Sequence, residues 1–222
     1  MKKSVYSVVL SDEVIAKVDR IAYMNNTNRS NMINQILADY VSLTTPEKRI
    51  SGIFEDLARL LYSGENFSEL SPPTPSVMSV RTALSYKYNP TVRYSIELYR
   101  EPDKEQGVIK VSTRTTNSAL LSKMLEFYNL WAQLEYNYGF LGKDSYENGV
   151  FKRPIIHREN PLAEKNAKKG AAASELIADY ISLFDAALKL YFSDNTEAII
   201  SLVLVFPTLP VMPTTFISNC FL

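Results

Sequence analysis

One cysteine and one histidine occur in 222 residues, and their scarcity excludes several chemistries. A disulfide needs two thiols, and a zinc site needs three or four Cys, His or carboxylate ligands. Cys220 and His157 therefore offer no disulfide framework and no metal site, and a reducing, cytoplasmic location is the natural reading. Glycine is scarce as well: seven are scattered along the chain, none in a loop that could cradle phosphates. Net charge is absent, with 24 basic against 24 acidic residues, so no overall field steers the chain to nucleic acid or an anionic membrane. Behind Lys2 and Lys3 there is no apolar run of the kind a secretory signal needs. The charge-free stretch 199–222 is long enough to span a bilayer, but Pro207, Pro210 and Pro213 interrupt it every third residue. Each would cost roughly 3 kcal/mol in a helix interior. It reads as an apolar, proline-containing tail, and no membrane partner is expected. His157, in "RPIIHREN", has no neighbouring nucleophile or orienting group, and Asp179 and Asp185 do not share a helix face. No catalytic residue and no cofactor is assigned, and the chain is not read as an enzyme.

What is present is a 46% hydrophobic content, ample for a core, arranged in clear periods. "KKSVYSVVLSDEV" alternates: Tyr6, Val8 and Leu10 fall on one side of a strand, and Val5, Ser7 and Val9 on the other. Ser11 can cap a helix whose first turn holds Asp12 and Glu13 and whose apolar face is Val14, Val18, Ile21 and Ala22. "NNTNRS" breaks it, since Asn25 and Asn26 tolerate left-handed backbone and Asn28 can cap a second helix from Arg29 to about Leu43. The next convincing strand begins only near Ser76. A strand, helix, turn and helix in about 43 residues cannot complete the strand's hydrogen bonds or bury a core alone. Two copies pairing their strands antiparallel over four helices would satisfy both needs. The core of that dimer would be Tyr6, Val8 and Leu10 with Ile33, Leu37 and Tyr40.

The order "YSVVLSDEVIAKVDRIA" followed by "NNTNRSNMINQILADYV" resembles the ribbon-helix-helix family of DNA-binding proteins, the MetJ/Arc/CopG group, over residues 2–43. The resemblance implies a ribbon-helix-helix unit at 1–45 that places a dimeric β-ribbon in the major groove of double-stranded DNA. Val5, Ser7 and Val9 would then face the bases. Lys2, Lys3, Arg29, Ser30 and Asn31 would hold phosphates, the last three at the start of the second helix. It implies a cytoplasmic, bacterial or mobile-element transcriptional regulator, a repressor in the first instance, with antitoxins and plasmid accessory proteins in the same family. The sequence departs from the family where two of the three outward side chains are valines, which can touch thymine methyls but cannot hydrogen-bond a base. Ser7, Lys3 and DNA shape would then carry specificity. A ribbon that only dimerises, in a structural or protein-interaction factor, is the alternative.

Beyond the ribbon, Thr45 and Pro46 begin a third helix with the stripe Ile50, Ile53, Phe54, Leu57, Leu60 and Leu61. "SELSPPTPS" makes 46–75 a connecting helix and proline-rich linker. "SVRTALSYKY", "TVRYSIELYR" and "GVIKVSTRT" predict an antiparallel meander, followed by long helices over about 118–138 and 174–192 and a short strand at "VFKRPII". Residues 76–198 are thus an α+β domain, an antiparallel sheet packed by long helices, where a protein or ligand partner or higher oligomerisation could act. Arg93, Arg100, Lys110 and Arg114, with Tyr86, Tyr88, Tyr94 and Tyr99, suit either a nucleic-acid surface or the solvent face of that sheet, the second being preferred. "ILADYVSL" at 36–43 and "LIADYISL" at 176–183 are similar. Their flanks differ, as in two amphipathic helices of like composition rather than a repeat.

Overall fold

A computed structural model describes residues 4–101, 105–137, 145–156, 173–195 and 199. Lys2, Lys3, His157, Cys220 and the tail beyond 199 lie outside the described residues. The chain divides into two compact units, Met1–Arg49 and Ile50–Leu222.

The first unit holds α1 (Asp12–Met24) and α2 (Arg29–Tyr40), and α3 (Pro46–Tyr62) begins in it. Each helix starts where a side chain accepts a free amide: Ser11 Oγ from Val14 at 3.4 Å, Asn28 Oδ1 from Asn31 at 2.9 Å, and Thr45 Oγ1 from Lys48 at 3.2 Å. Asn26 takes the left-handed backbone, φ 49°, that turns α1 into α2. Val18, Ala22 and Met32 are buried together with half-buried Ile33 against them. A strand is predicted over residues 5–10, yet residues 4–10 form none within the single chain and are exposed. A ladder needs a second strand, and among the described residues the chain gives them none.

The second unit is an α+β fold. Its six-stranded antiparallel sheet comprises β1 (Ser68–Ser71), β2 (Val77–Ala83), β3 (Thr91–Leu98), β4 (Glu105–Thr113), β5 (Ser145–Glu147) and β6 (Val150–Ile156), in the spatial order β1-β2-β3-β4-β6-β5. The predicted meander is β2, β3 and β4, and the short strand at "VFKRPII" is β6. β5 and β6 are joined by Asn148 and Gly149, both at positive φ, 52° and 78°, the backbone a two-residue hairpin requires. The span 46–75 contains α3 and β1. The α3 stripe Ile50, Phe54, Leu57 and Leu61 is buried in the same cluster as the sheet.

Alternation sorts the strands. Met78, Val80, Val92, Tyr94, Ile96, Ile109, Val111 and Phe151 are buried on one face, where α4 (Ser118–Asn137) and α5 (Ala173–Phe192) meet them. Phe184 of α5 stands at the centre, its ring against Tyr94, Phe127, Tyr128, Trp131, Phe151 and Tyr180 at centroid distances of 5.1–6.3 Å. Asp185 is buried beside it, accepting from Tyr94 Oη at 3.0 Å and pairing with Lys189 Nζ at 2.8 Å. Burial pushes the Asp185 carboxyl above its usual range, against the lowering pull of Lys189 and Tyr94. Burial likewise drives the Tyr94 hydroxyl well up, with Asp185 adding to it.

Gly107 in β4 pairs with Leu98, and a Cβ there would lie 2.2 Å from the Glu97 carbonyl oxygen. That oxygen is backbone and cannot rotate aside. Gly107→Ala is expected to cost about 1–3 kcal/mol and to lower the thermal midpoint of unfolding by several degrees. An unchanged melt would show that the β3–β4 pair yields freely at this point.

Candidate nucleic-acid interface

The segment leading into α1 presents two sets of side chains. Val5 and Val9 are 98% and 100% exposed and Ser7 is exposed, the three predicted to meet bases. Tyr6, Val8 and Leu10, predicted for a dimer core, are also exposed in the single chain, at 83%, 70% and 38%. Leu37 and Tyr40 of α2 are exposed, and only Ile33 of the six is half-buried, against Val18, Ala22 and Met32. Val14, Ile21, Ile36 and Val41 add to this uncovered apolar set.

At the start of α2 the predicted phosphate ligands fare differently. The Asn31 amide donates to Asn28 Oδ1 at 2.9 Å, the bond that caps the helix. The Arg29 and Ser30 amides, at the first two helical positions, meet no acceptor among the described residues, as the first turn of a helix ordinarily leaves them. The Arg29 guanidinium is engaged, with Nε donating to Asp19 Oδ1 at 2.7 Å and Nη2 to Oδ2 at 2.6 Å. The hydrogen bond from Arg29 holds the Asp19 carboxyl below its usual range, and Asp19 in turn raises Arg29. This fork uses two of the five N–H donors of arginine and leaves three. Asp19 is missing from the predicted site because an ion pair ten residues apart, between two helices, has no local signature.

In the second unit the sheet separates Arg93 and Lys110 from the Tyr94 ring. Arg93 is exposed and Lys110 half-buried on the outer face, whereas Tyr94 is fully buried on the inner one, as alternation requires. Those basics therefore belong to the solvent face, without Tyr94 as a stacking platform between them. Among the described residues no three His, Cys, Asp or Glu side chains could share a metal ion, and no helix is long and apolar enough to cross a membrane. In comparison with known proteins the chain matches no family model, no curated protein and no solved structure.

Proposed function

We propose that the chain is a sequence-specific DNA-binding transcriptional regulator of ribbon-helix-helix type, acting as a homodimer that lays an antiparallel β-ribbon in the major groove. The observation that carries this reading is the state of residues 4–10 and the two helices after them. Tyr6, Val8 and Leu10 alternate with Val5, Ser7 and Val9, all uncovered, ahead of helices that bury little beyond Val18, Ala22, Met32 and Ala38. A second copy supplies both the missing strand and the missing apolar cover.

Within the dimer, the free amides of Arg29 and Ser30 and the Ser30 hydroxyl would grip one phosphate per subunit, and the remaining Arg29 donors would reach it past Asp19. Val5 and Val9 would touch thymine methyls beside Ser7. The two valines and the Asp19–Arg29 pair also favour a second reading, in which the ribbon dimerises a structural or mobile-element accessory protein and reads no bases. A salt titration of DNA binding by fluorescence anisotropy separates the two. Arg29→Ala with Ser30→Ala is expected to weaken binding to all sequences alike and to flatten the plot of log K against log salt by roughly 0.9 for each phosphate no longer neutralised. Unchanged affinity and slope would end the phosphate-anchor assignment, and no binding by the wild-type dimer would leave the second reading.

A further inference from the structure

The outer face of the sheet carries a pair of cations that no described carboxylate neutralises. Arg81 on β2 and Arg93 on β3 are directly opposite each other in the ladder, and both are exposed. Like charges in that relation are destabilising. Arg81 Nε donates to Ser68 Oγ at 3.1 Å and Arg93 Nη2 to Ser79 Oγ at 3.0 Å. Each guanidinium is thus oriented by a neutral hydroxyl, and among the described residues no carboxylate pairs with either. The neighbouring lysines of the same face differ: Lys110 pairs with Glu97 at 2.5 Å and Lys152 with Glu147 at 3.2 Å. Four residues along β2 from Arg81, the same face carries a row running Val77, Glu97, Val108, Pro154 across four strands. Its three apolar members are half-buried with no neighbour fully covering them.

We propose that this face docks an acidic polypeptide segment of a partner protein, whose carboxylates bind Arg81 and Arg93 while its apolar side chains cover Val77, Val108 and Pro154. The basic pair and the apolar row share one face, separated by the row Ser79, Ser95, Lys110 and Lys152, and arginine is enriched where proteins meet. A second copy presenting the same face would set arginine against arginine. A continuous phosphate backbone would leave the apolar residues Val77, Val108 and Pro154 without a counterpart. An acidic segment answers the charge where it is uncompensated, and the hydroxyl-held guanidiniums keep donors in place for bidentate bonds to carboxylates. This inference does not depend on the ribbon binding DNA.

The full chain is titrated against a short fluorescein-labelled peptide alternating Glu and Val, with the Gln-for-Glu peptide as control, and binding is read by anisotropy. The Glu peptide is expected to bind the wild type and to lose about tenfold in affinity to Arg81→Ser/Arg93→Ser, the scale of a charge-assisted pair. Lys17→Ser/Lys87→Ser, which removes the same charge elsewhere, is expected to bind like the wild type. The thermal midpoint of the arginine variant is expected to hold or rise, because a repulsion is relieved. The proposal is overturned if the wild type does not bind the Glu peptide, or if both double variants bind it alike. It is overturned too if the arginine variant melts several degrees lower, which makes the pair structural. Loss of affinity for duplex DNA with peptide binding intact would likewise overturn it and assign the face to phosphates.

Discussion

Val8→Glu is expected to leave the full chain monomeric at concentrations where the wild type is a dimer, and to abolish its binding to DNA. Val8 lies between Tyr6 and Leu10 on the side of the segment that the proposed ribbon buries, and it is 70% exposed in the single chain. A carboxylate there is well solvated in the monomer and desolvated in the dimer. The effective penalty for an unpaired buried ion is several kcal/mol, once per subunit. At 1.4 kcal/mol per factor of ten, the dimer would weaken by at least about a hundredfold, and sedimentation velocity would resolve it. Val9→Ser is the paired control, one residue along and on the opposite side. It is expected to keep the dimer intact and to alter only base preference, because strand periodicity sends that side chain away from the core. A Val8→Glu protein that sediments as the wild type would remove the ribbon from the interface. Equal effects at Val8 and Val9 would show that this segment is not a strand.

The contrast between neighbouring residues also marks where the sequence is legible. Ser11, Asn28 and Thr45 are readable as caps because a cap is a bond between a side chain and an amide three residues on. The strands β2, β3 and β4 are readable because burial on one face imposes a two-residue period, and the same period places Arg93 outside and Tyr94 inside. The β5–β6 hairpin is also written locally, in Asn148-Gly149, the strongest two-residue hairpin signal, although the polar stretch around it obscures the strands. β1 is hidden by its length of four residues and by Pro72 and Pro73 immediately after it. The stripe of α3 foretells burial without saying against what. Arg29 with Asp19, and Arg81 opposite Arg93, lie beyond reach for one reason. They are consequences of helix pairing and strand register, and no period along the chain encodes which residues those bring face to face.

Glu135 is the sharpest case of such a hidden pairing, and it carries the largest effect expected in the second unit. It lies on α4 with its side chain only 1% exposed, and its Oε1 accepts from Arg153 Nε of β6 at 2.8 Å. The other oxygen, Oε2, has no hydrogen-bond partner among the described residues. The Arg153 guanidinium sits 4.0 Å from the centre of the Tyr180 ring, and the Tyr180 hydroxyl accepts from Trp131 Nε1 at 3.1 Å. One charged pair therefore ties together β6, α4 and α5. Arg153→Met preserves much of the apolar stem and its packing on Tyr180 but leaves the Glu135 carboxylate buried without its cation. Breaking a buried pair from one side costs about 3–5 kcal/mol, which in a chain of this size lowers the thermal midpoint by roughly 10 °C. Removing both charges, as Glu135→Leu/Arg153→Met, is expected to recover most of that loss, because desolvation of two ions offsets much of their attraction. The double variant melting above the single one identifies the orphaned carboxylate as the source of the damage. If the single variant melts within a degree or two of the wild type, water reaches Glu135 and the ion pair does not lock the three elements. If the double variant is as unstable as the single one, the missing element is the packing of the guanidinium on Tyr180, and a cation–π interaction rather than the ion pair holds β6 to the helices.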